Sequence, residues 1–451
     1  MAPEILSVRS QIGIRWLAPA LAIVFLHNVS CIAQQTTASV DTAQPITITL
    51  DEAIKRAQAN EPVFTASVAE SKATALDRSI ARAALLPTVT YHNQYLYTQP
   101  GLPSQSTPRF IANNAVHEYT SQGVVNETLG LAQVAGVKLA DATAVRAAAE
   151  LEVARRGLVG TVVALYYGSL AADQKLAVAQ RAADEAASFT DLTNKREVAR
   201  EVAHADVVKA QLQQQQRQRD LSDAKVATEK AKLELAVLLF PDPRTPYTVK
   251  PIVDLAPLPS RAAVESAAST NNPELKSAIA TLRQSDADVL AARAAYLPDL
   301  ALNYSYGIDA AQFAIHAPDG TRNLGYAASV TLDIPVWDWL STQHKVKQSE
   351  IRRDAVRVAL TATQKRLVAS LDAFYAEAAA SHDQLASLDA SVQTAAESLR
   401  LTKLRYTSGE ATVLEVVDAQ TAFTAAENAR EDGAVRYQTA LANLQTLTGT
   451  L

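Results

Sequence analysis

Two stretches, "ARAALLPTVTYHNQYLY" (81–97) and "ARAAYLPDLALNYSYGI" (292–308), decide the fold. Each runs from an Ala-rich helical pattern through a proline into alternating side chains. In the second, Leu300, Leu302, Tyr304, Tyr306 and Ile308 alternate with Ala301, Asn303, Ser305 and Gly307. That period of two is the signature of a strand with two unlike faces. "LGYAASVTLDI" (324–334) alternates in the same way, and the first half offers "VTYHNQYLY" (89–97) with a weaker partner near 119–129. Two β-hairpins are therefore expected, over about 88–129 and 299–335.

The junction occurs twice because the chain repeats itself. Pro62 and Pro273, Asn60 and Asn271, Pro87 and Pro298, and Tyr95 and Tyr306 all share an offset of 211 positions. Further on, "EVAHADVVKAQ" (201–211) matches "EATVLEVVDAQ" (410–420) at an offset of 209. Colinear prolines and strands mark a duplicated structural unit. No proline lies between Pro108 and Pro241, or after Pro335. Both stretches are rich in helix formers, so long uninterrupted helices are expected there. The reading gives helices over 62–86, 131–194 and 202–239, and again over 273–297, 341–405 and 411–448. The 131–194 helix would be about 95 Å long. Leu275, Leu282, Val289 and Tyr296, with Ile279 beside them, form a coiled-coil-like seam. "TLDE" (49–52) reads as a capping box.

The N-terminus carries a separate signal. Arg9 and Arg15 precede the apolar run "WLAPALAIVFL" (16–26), which is too short to span a bilayer and has the layout of a secretory signal. Cleavage after Ala33 is expected, the alternative being acylation at Cys31, the only cysteine. The expected order is a signal peptide (1–33), a first repeat (34–240), an irregular connector (241–259) and a second repeat (260–451).

Alternation over about 9–11 residues, apolar and Tyr residues on one face and small polar residues on the other, is the pattern of a transmembrane β-strand. Four strands cannot close a barrel, and open strand edges cannot remain in lipid, so such a chain must assemble with copies of itself. Two copies would supply eight strands and three would supply twelve. Trp337 and Trp339 follow the last strand, where an interfacial aromatic belt is one reading and packing against the next helix the other.

Composition narrows the function. The formal charge of −5, with both signs mixed along the chain, gives no concentrated basic face for nucleic acid. The histidines lack metal-ligand spacing, and no phosphate-binding Gly-rich loop occurs, so neither an enzyme nor a cofactor is expected.

In the order of these features, from "ITLDEAIKRAQANEP" (48–62) to "YQTALANLQTLTG" (437–449), the chain resembles the TolC-like outer-membrane efflux proteins. The doubled "LP" junctions, "LDIPVWD" (332–338) and "LRYTSGEATVLEVVDAQ" (404–420) carry the resemblance. It implies a mainly α fold with transmembrane β-strands. In that fold, long duplicated helical hairpins form a periplasmic α-barrel. Four strands per chain enter the twelve-stranded outer-membrane β-barrel of a homotrimer. The implied function is an exit duct of a tripartite efflux or type I secretion system. Such a duct, in the outer membrane of a Gram-negative bacterium, serves a periplasmic adaptor and an inner-membrane pump.

The resemblance also implies sites. The hairpin tips that dock the adaptor fall near 193–203 and 402–412, with Arg405, Tyr406 and Gly409 on the family's pattern and Arg200 where glycine is usual. Glu415 and Asp418, three apart on one helix face, fall where the family places the acidic ring of its periplasmic gate, and Asp206 is the weaker counterpart. The competing readings are a solvated acidic face and, for the whole chain, a non-conducting periplasmic coiled-coil scaffold or adaptor.

Overall fold

The computed structural model of the chain describes residues 46–97, 117–251 and 256–450. The expected signal peptide and Cys31 lie outside them. The first half runs β1 (Ile46–Ile48), α1 (Leu50–Asn60), α2 (Pro62–Ala83), β2 (Thr88–Tyr97), β3 (His117–Gly130), α3 (Leu131–Val198) and α4 (His204–Leu239). The second runs β4 (Tyr247–Val249), α5 (Arg261–Asn271), α6 (Pro273–Ala294), β5 (Asp299–Ala310), β6 (Leu324–Asp333), α7 (Ser341–Thr407) and α8 (Val413–Thr448). Helix lengths pair across the halves: 11 and 11, 22 and 22, 68 and 67, 36 and 36 residues. At 1.5 Å per residue α3 is about 100 Å long.

Local chemistry sets the ends of these elements. Pro62 and Pro273 occupy the first turn of α2 and α6, where a missing N–H is no loss. Glu61 and Asn272 cap those helices by accepting the N–H of Phe64 and Leu275. Both helices stop three residues before the expected ends. A residue preceding proline is disfavoured in the α region, so the chain leaves the helix in a short turn before Pro87 and Pro298. Tyr296 therefore lies beyond the helix and is exposed, while Val289 of the expected seam is buried. Only half of the capping box at "TLDE" forms. Thr49 accepts the N–H of Glu52 at 3.3 Å, but the Glu52 carboxylate takes Arg56 at 2.8 Å instead. The connector is also less irregular than expected. It contains β4, which pairs in parallel with β1, and the Tyr166 hydroxyl donates to the carbonyls of Ile48 and Lys250 to stitch that pair onto α3.

The other four strands form one antiparallel sheet in the order β2-β3-β5-β6. Register places Tyr306 opposite Tyr326, Leu302 opposite Val330 and Leu300 opposite Leu332. On that face also stand Val89, Tyr91, Tyr95, Val125 and Tyr304. The opposite face carries Thr90, His92, Gln94, Thr120, Gln122, Asn126, Asn303, Ser305, Ser329 and Thr331. The sheet is thus apolar and aromatic on one side and polar on the other. One polar cluster on the apolar side is internally satisfied: Ser121 bonds Tyr91 at 2.7 Å and Asn93 at 2.8 Å. Gly307 is needed for close approach, since a Cβ there would sit 2.1 Å from the Ser121 carbonyl. The outer edges of β2 and β6 pair with no strand among the described residues.

The helices keep the order of the strands. The chain enters β2 from α2, leaves β3 into α3, enters β5 from α6 and leaves β6 into α7, and packing runs α2-α3-α6-α7. At the opposite end of α3 and α7 it runs α4-α3-α8-α7. One flank of the chain is therefore α2 with α4, the other is α7. Both flanks expose apolar side chains: Leu76, Ile80, Val226, Leu233 and Val237 on the first, Ile351, Val358 and Val368 on the second. Inside, α3 is buried largely through small residues, among them Ala135, Ala147, Ala171, Ala183 and Ala186, which let the helices approach closely.

Candidate functional site at the hairpin tips

The two long hairpins turn by the same device. At the end of α3, the N–H of Glu201 donates to Arg196 and the N–H of Arg200 to Glu197, both at 2.8 Å. At the end of α7, Glu410 donates to Arg405 at 2.8 Å and Gly409 to Tyr406 at 3.0 Å. Both are Schellman-type ends, which require one residue in the left-handed region. Gly409 meets that at φ 79° without strain, whereas Arg200 adopts φ 61° with a side chain attached. A left-handed L-residue costs about 1–2 kcal/mol. Arg200→Gly relieves that while adding backbone freedom to the unfolded chain, so a net stabilisation of about 0.5–1 kcal/mol is expected. Slower hydrogen exchange at the first tip would register it.

Beyond the turns the hairpins diverge. Thr412 caps α8 in a full capping box: its hydroxyl accepts the Glu415 N–H at 3.3 Å, and the Glu415 carboxylate accepts the Thr412 N–H at 3.1 Å. Arg405 reaches the same carboxylate at 3.3 Å. The Thr412 backbone, its hydroxyl and Arg405 together hold the Glu415 carboxyl below the usual range, so it stays ionised. Asp418, one turn on, is exposed and forms no ion pair among the described residues. In the first hairpin Ala203 occupies the cap position with no side-chain bond. Asp206 stands at the position of Glu415, and Lys209, at the position of Asp418, lies 3.9 Å from it. Only the second hairpin thus presents two carboxylates on one helix face with no lysine between them.

Tyr406 is 2% exposed and is the pin that joins the tips. Its ring packs against Phe189 at 5.1 Å, and its hydroxyl lies 3.3 Å from that of Thr193. Arg196 stacks its guanidinium over the ring at 4.8 Å, donates to the Tyr406 carbonyl and bonds Glu201 at 2.9 Å. Val413, Val416 and Ala210 complete this small core. The surface of the second tip is therefore formed by Arg405, Gly409 and their neighbours, with Tyr406 behind them. Sequence reasoning missed Phe189, Thr193 and Arg196. Their spacing of four and then three places them on one face of α3, a signal that was legible but indistinct on a helix of 68 residues.

Above the pin a polar seam joins α3 to the second hairpin. Glu185 takes Lys403 and Gln420, Arg181 takes Glu427 at 2.6 Å, and Lys175 takes Asp432 at 2.5 Å. Arg217 of α4 adds a bond to Thr421 at 2.8 Å. These pairs are largely exposed and each contributes little alone, but they repeat along the seam.

Comparison with known proteins agrees with this architecture. Residues 264–450 match the family of outer membrane efflux proteins. Outer membrane protein OprJ of Pseudomonas aeruginosa is 30% identical over 207 residues, a match spanning 45% of this chain and 41% of that protein, less than half its length. Protein CyaE of Bordetella pertussis is 26% identical over 353 residues, 74% of this chain and 71% of CyaE. Among solved structures, the CmeC outer membrane channel of Campylobacter jejuni superposes with a TM-score of 0.77 at 16% identity, covering 89% of this chain and 85% of CmeC. The chain shares its fold with that channel.

Proposed function

We propose that this chain is the outer-membrane exit duct of a tripartite efflux or type I secretion system, acting as a homotrimer. The observation that carries the reading is the four-stranded sheet: apolar on one face, polar on the other, and with neither outer edge paired to a strand among the described residues. Backbone groups at an edge facing lipid would lack partners, so β6 of one copy pairs with β2 of the next until the ring closes. Three copies give twelve strands, wide enough to leave a polar lumen, whereas eight would be filled by side chains. The exposed apolar flanks of α2 and α4 on one side and α7 on the other then meet in the same rotation and build the helical barrel beneath.

In this reading residues 1–33 are an export signal, with Cys31 removed or acylated, and 34–240 and 260–451 are two copies of one unit joined by 241–259. The tips around Arg200, Arg405 and Gly409 dock a periplasmic adaptor that links the duct to an inner-membrane pump. Three-fold symmetry turns Glu415 and Asp418 into rings of carboxylates at the periplasmic entrance. Such rings favour cations and repel one another when the tips close. A non-conducting scaffold would have no use for two hairpins with one lipid-compatible face.

Planar bilayers test the entrance. Glu415→Gln with Asp418→Asn removes both charges, and the introduced glutamine amide can still accept the Thr412 N–H, so the cap survives. Removing about 1 kcal/mol of attraction per ion should lower cation-over-anion permeability about fivefold. Asp206→Asn should change it little. Equal selectivity in the double variant and the wild type would refute the gate assignment, and the absence of any conductance would refute the duct.

A further inference from the structure

Above the pin, α4 and α8 lie on either side of α3 and are joined directly by the bond from Arg217 to Thr421 at 2.8 Å. Farther from the tips they form no hydrogen bond or ion pair with each other among the described residues, and a cleft of about 570 Å³ opens between them. Its floor is a face of α3 with little side-chain bulk, formed by Gly168, Ala171, Ala179 and Ala182. From 168 to 182 that floor runs about 21 Å. One wall, on α4, carries Asp220 and Asp223, and the other, on α8, carries Asn428 and Asp432. Both walls are held in register on the floor: the Thr228 hydroxyl donates to the Ala172 carbonyl at 3.0 Å, and Lys175 pairs with Asp432 at 2.5 Å. Arg217 likewise takes Asp220 at 3.1 Å. Asp223, which forms no ion pair among the described residues, is therefore the wall carboxylate left over.

Two amide oxygens on α8 define the chemistry of a ligand. The Oδ1 of Asn428 is buried and has no hydrogen-bond partner among the described residues. Nearer the tip, Gln420 is 6% exposed and lines a cavity of about 80 Å³ that shares Ala182, Arg217 and Thr424 with the cleft. Its Nε2 donates to Glu185 at 3.3 Å, which fixes the orientation of the amide and leaves Oε1 without a partner. A buried acceptor of this kind calls for an N–H donor. The two oxygens are eight residues apart, about 12 Å along α8. We propose that the cleft binds a linear aliphatic polyamine, with one ammonium at Asp223, N–H groups at Asn428 and Gln420, and methylenes over the alanine floor. A bare metal ion suits the walls less well, since no group of three metal-ligating side chains stands together among the described residues, and it would gain nothing from the apolar floor. The surplus carboxylate disfavours an anion. A bound polyamine ties α4 to α8 where the chain itself does not. Val226, Leu233 and Val237, the apolar flank of α4, lie outside the cleft, so a neighbouring copy on that flank leaves it open. The site is complete within one chain and stands whether or not that chain is an exit duct.

Isothermal titration calorimetry of the full chain in detergent, with spermidine as the probe, tests the site. One spermidine per chain is expected, and magnesium at equal charge should not displace it. Asp223→Asn and Asn428→Ala should each weaken binding about tenfold, the worth of one hydrogen bond to a charged group. Neither side chain makes a hydrogen bond or ion pair among the described residues that the fold would lose. Ala179→Leu fills the trough without touching a charge and should abolish binding. At ten times its Kd, spermidine should slow hydrogen exchange about tenfold in 217–227 and 424–435 and leave 404–416 unchanged. Glu415→Gln with Asp418→Asn should bind spermidine as the wild type does. Loss of binding in that variant, with Asp223→Asn unaffected, would place the ligand at the acidic entrance and overturn the cleft. Unchanged binding in Ala179→Leu would overturn it too, and displacement by magnesium would reduce it to general attraction of cations. Neither heat nor protection would refute the site and leave the exit duct, which conductance tests, standing.

Discussion

Tyr406→Ala is expected to unpin the two hairpin tips and to raise hydrogen exchange there by about two to three orders of magnitude. The ring is almost wholly buried between Phe189 and Arg196, and truncating a buried aromatic to alanine costs about 3–5 kcal/mol. Arg196 would lose the face it stacks on, though not its bond to Glu201. Exchange should rise in 189–196 and 404–416 and stay unchanged in the middle of α3 and α7, where other contacts hold the helices. Tyr406→Phe removes only the 3.3 Å hydroxyl contact with Thr193 and should cost about 1 kcal/mol. Exchange rising uniformly along the hairpins in Tyr406→Ala would mean that the tyrosine supports global folding and is no local pin.

The second large effect concerns the sheet. Val330 and Ser329 are neighbours in the middle of β6, on opposite faces. If the apolar face meets lipid, Val330→Arg should destabilise the folded protein in bilayers by about 2–4 kcal/mol, the range for an arginine near the membrane midplane. Ser329→Arg, on the polar face, should cost far less. Denaturant unfolding in vesicles of fixed composition measures both. Comparable losses for the two arginines would mean that neither face is in lipid and that the alternation serves a soluble sheet.

Much of this was legible in the chain because the decisive signals are local and periodic. The two Leu-Pro junctions, the alternation of Leu300 to Ile308 and the proline-free runs each depend on backbone geometry that neighbouring residues determine. The four long helices accordingly fall within a few residues of their expected bounds. Where expectation and structure differ, a longer-range or competing contact decided. β4 looks like loop because three residues carry no period, and it forms because β1, earlier in the chain by 201 positions at Thr47 and Thr248, offers a parallel partner. Glu52 abandons its box for Arg56, one turn along the same helix. At the tips, the carboxylates Glu415 and Asp418 were visible as an acidic pair. Asp206 was visible as the counterpart of Glu415 through the offset of 209, but the approach of Lys209 to within 3.9 Å of it depends on side-chain placement that the sequence does not determine. The pin formed by Tyr406 could not be read either, because its partners on α3 lie far away in sequence, Arg196 by 210 positions.

Oligomeric state decides whether the chain can work in a membrane at all, since a four-stranded sheet whose outer edges pair with no strand among the described residues has no stable place there as a single chain. Native mass spectrometry of protein extracted from outer membranes into detergent tests this most directly. The expected result is one dominant species with the mass of three chains, persisting until the detergent shell is stripped. A dominant single chain, or recovery of the protein in the soluble fraction, would contradict it.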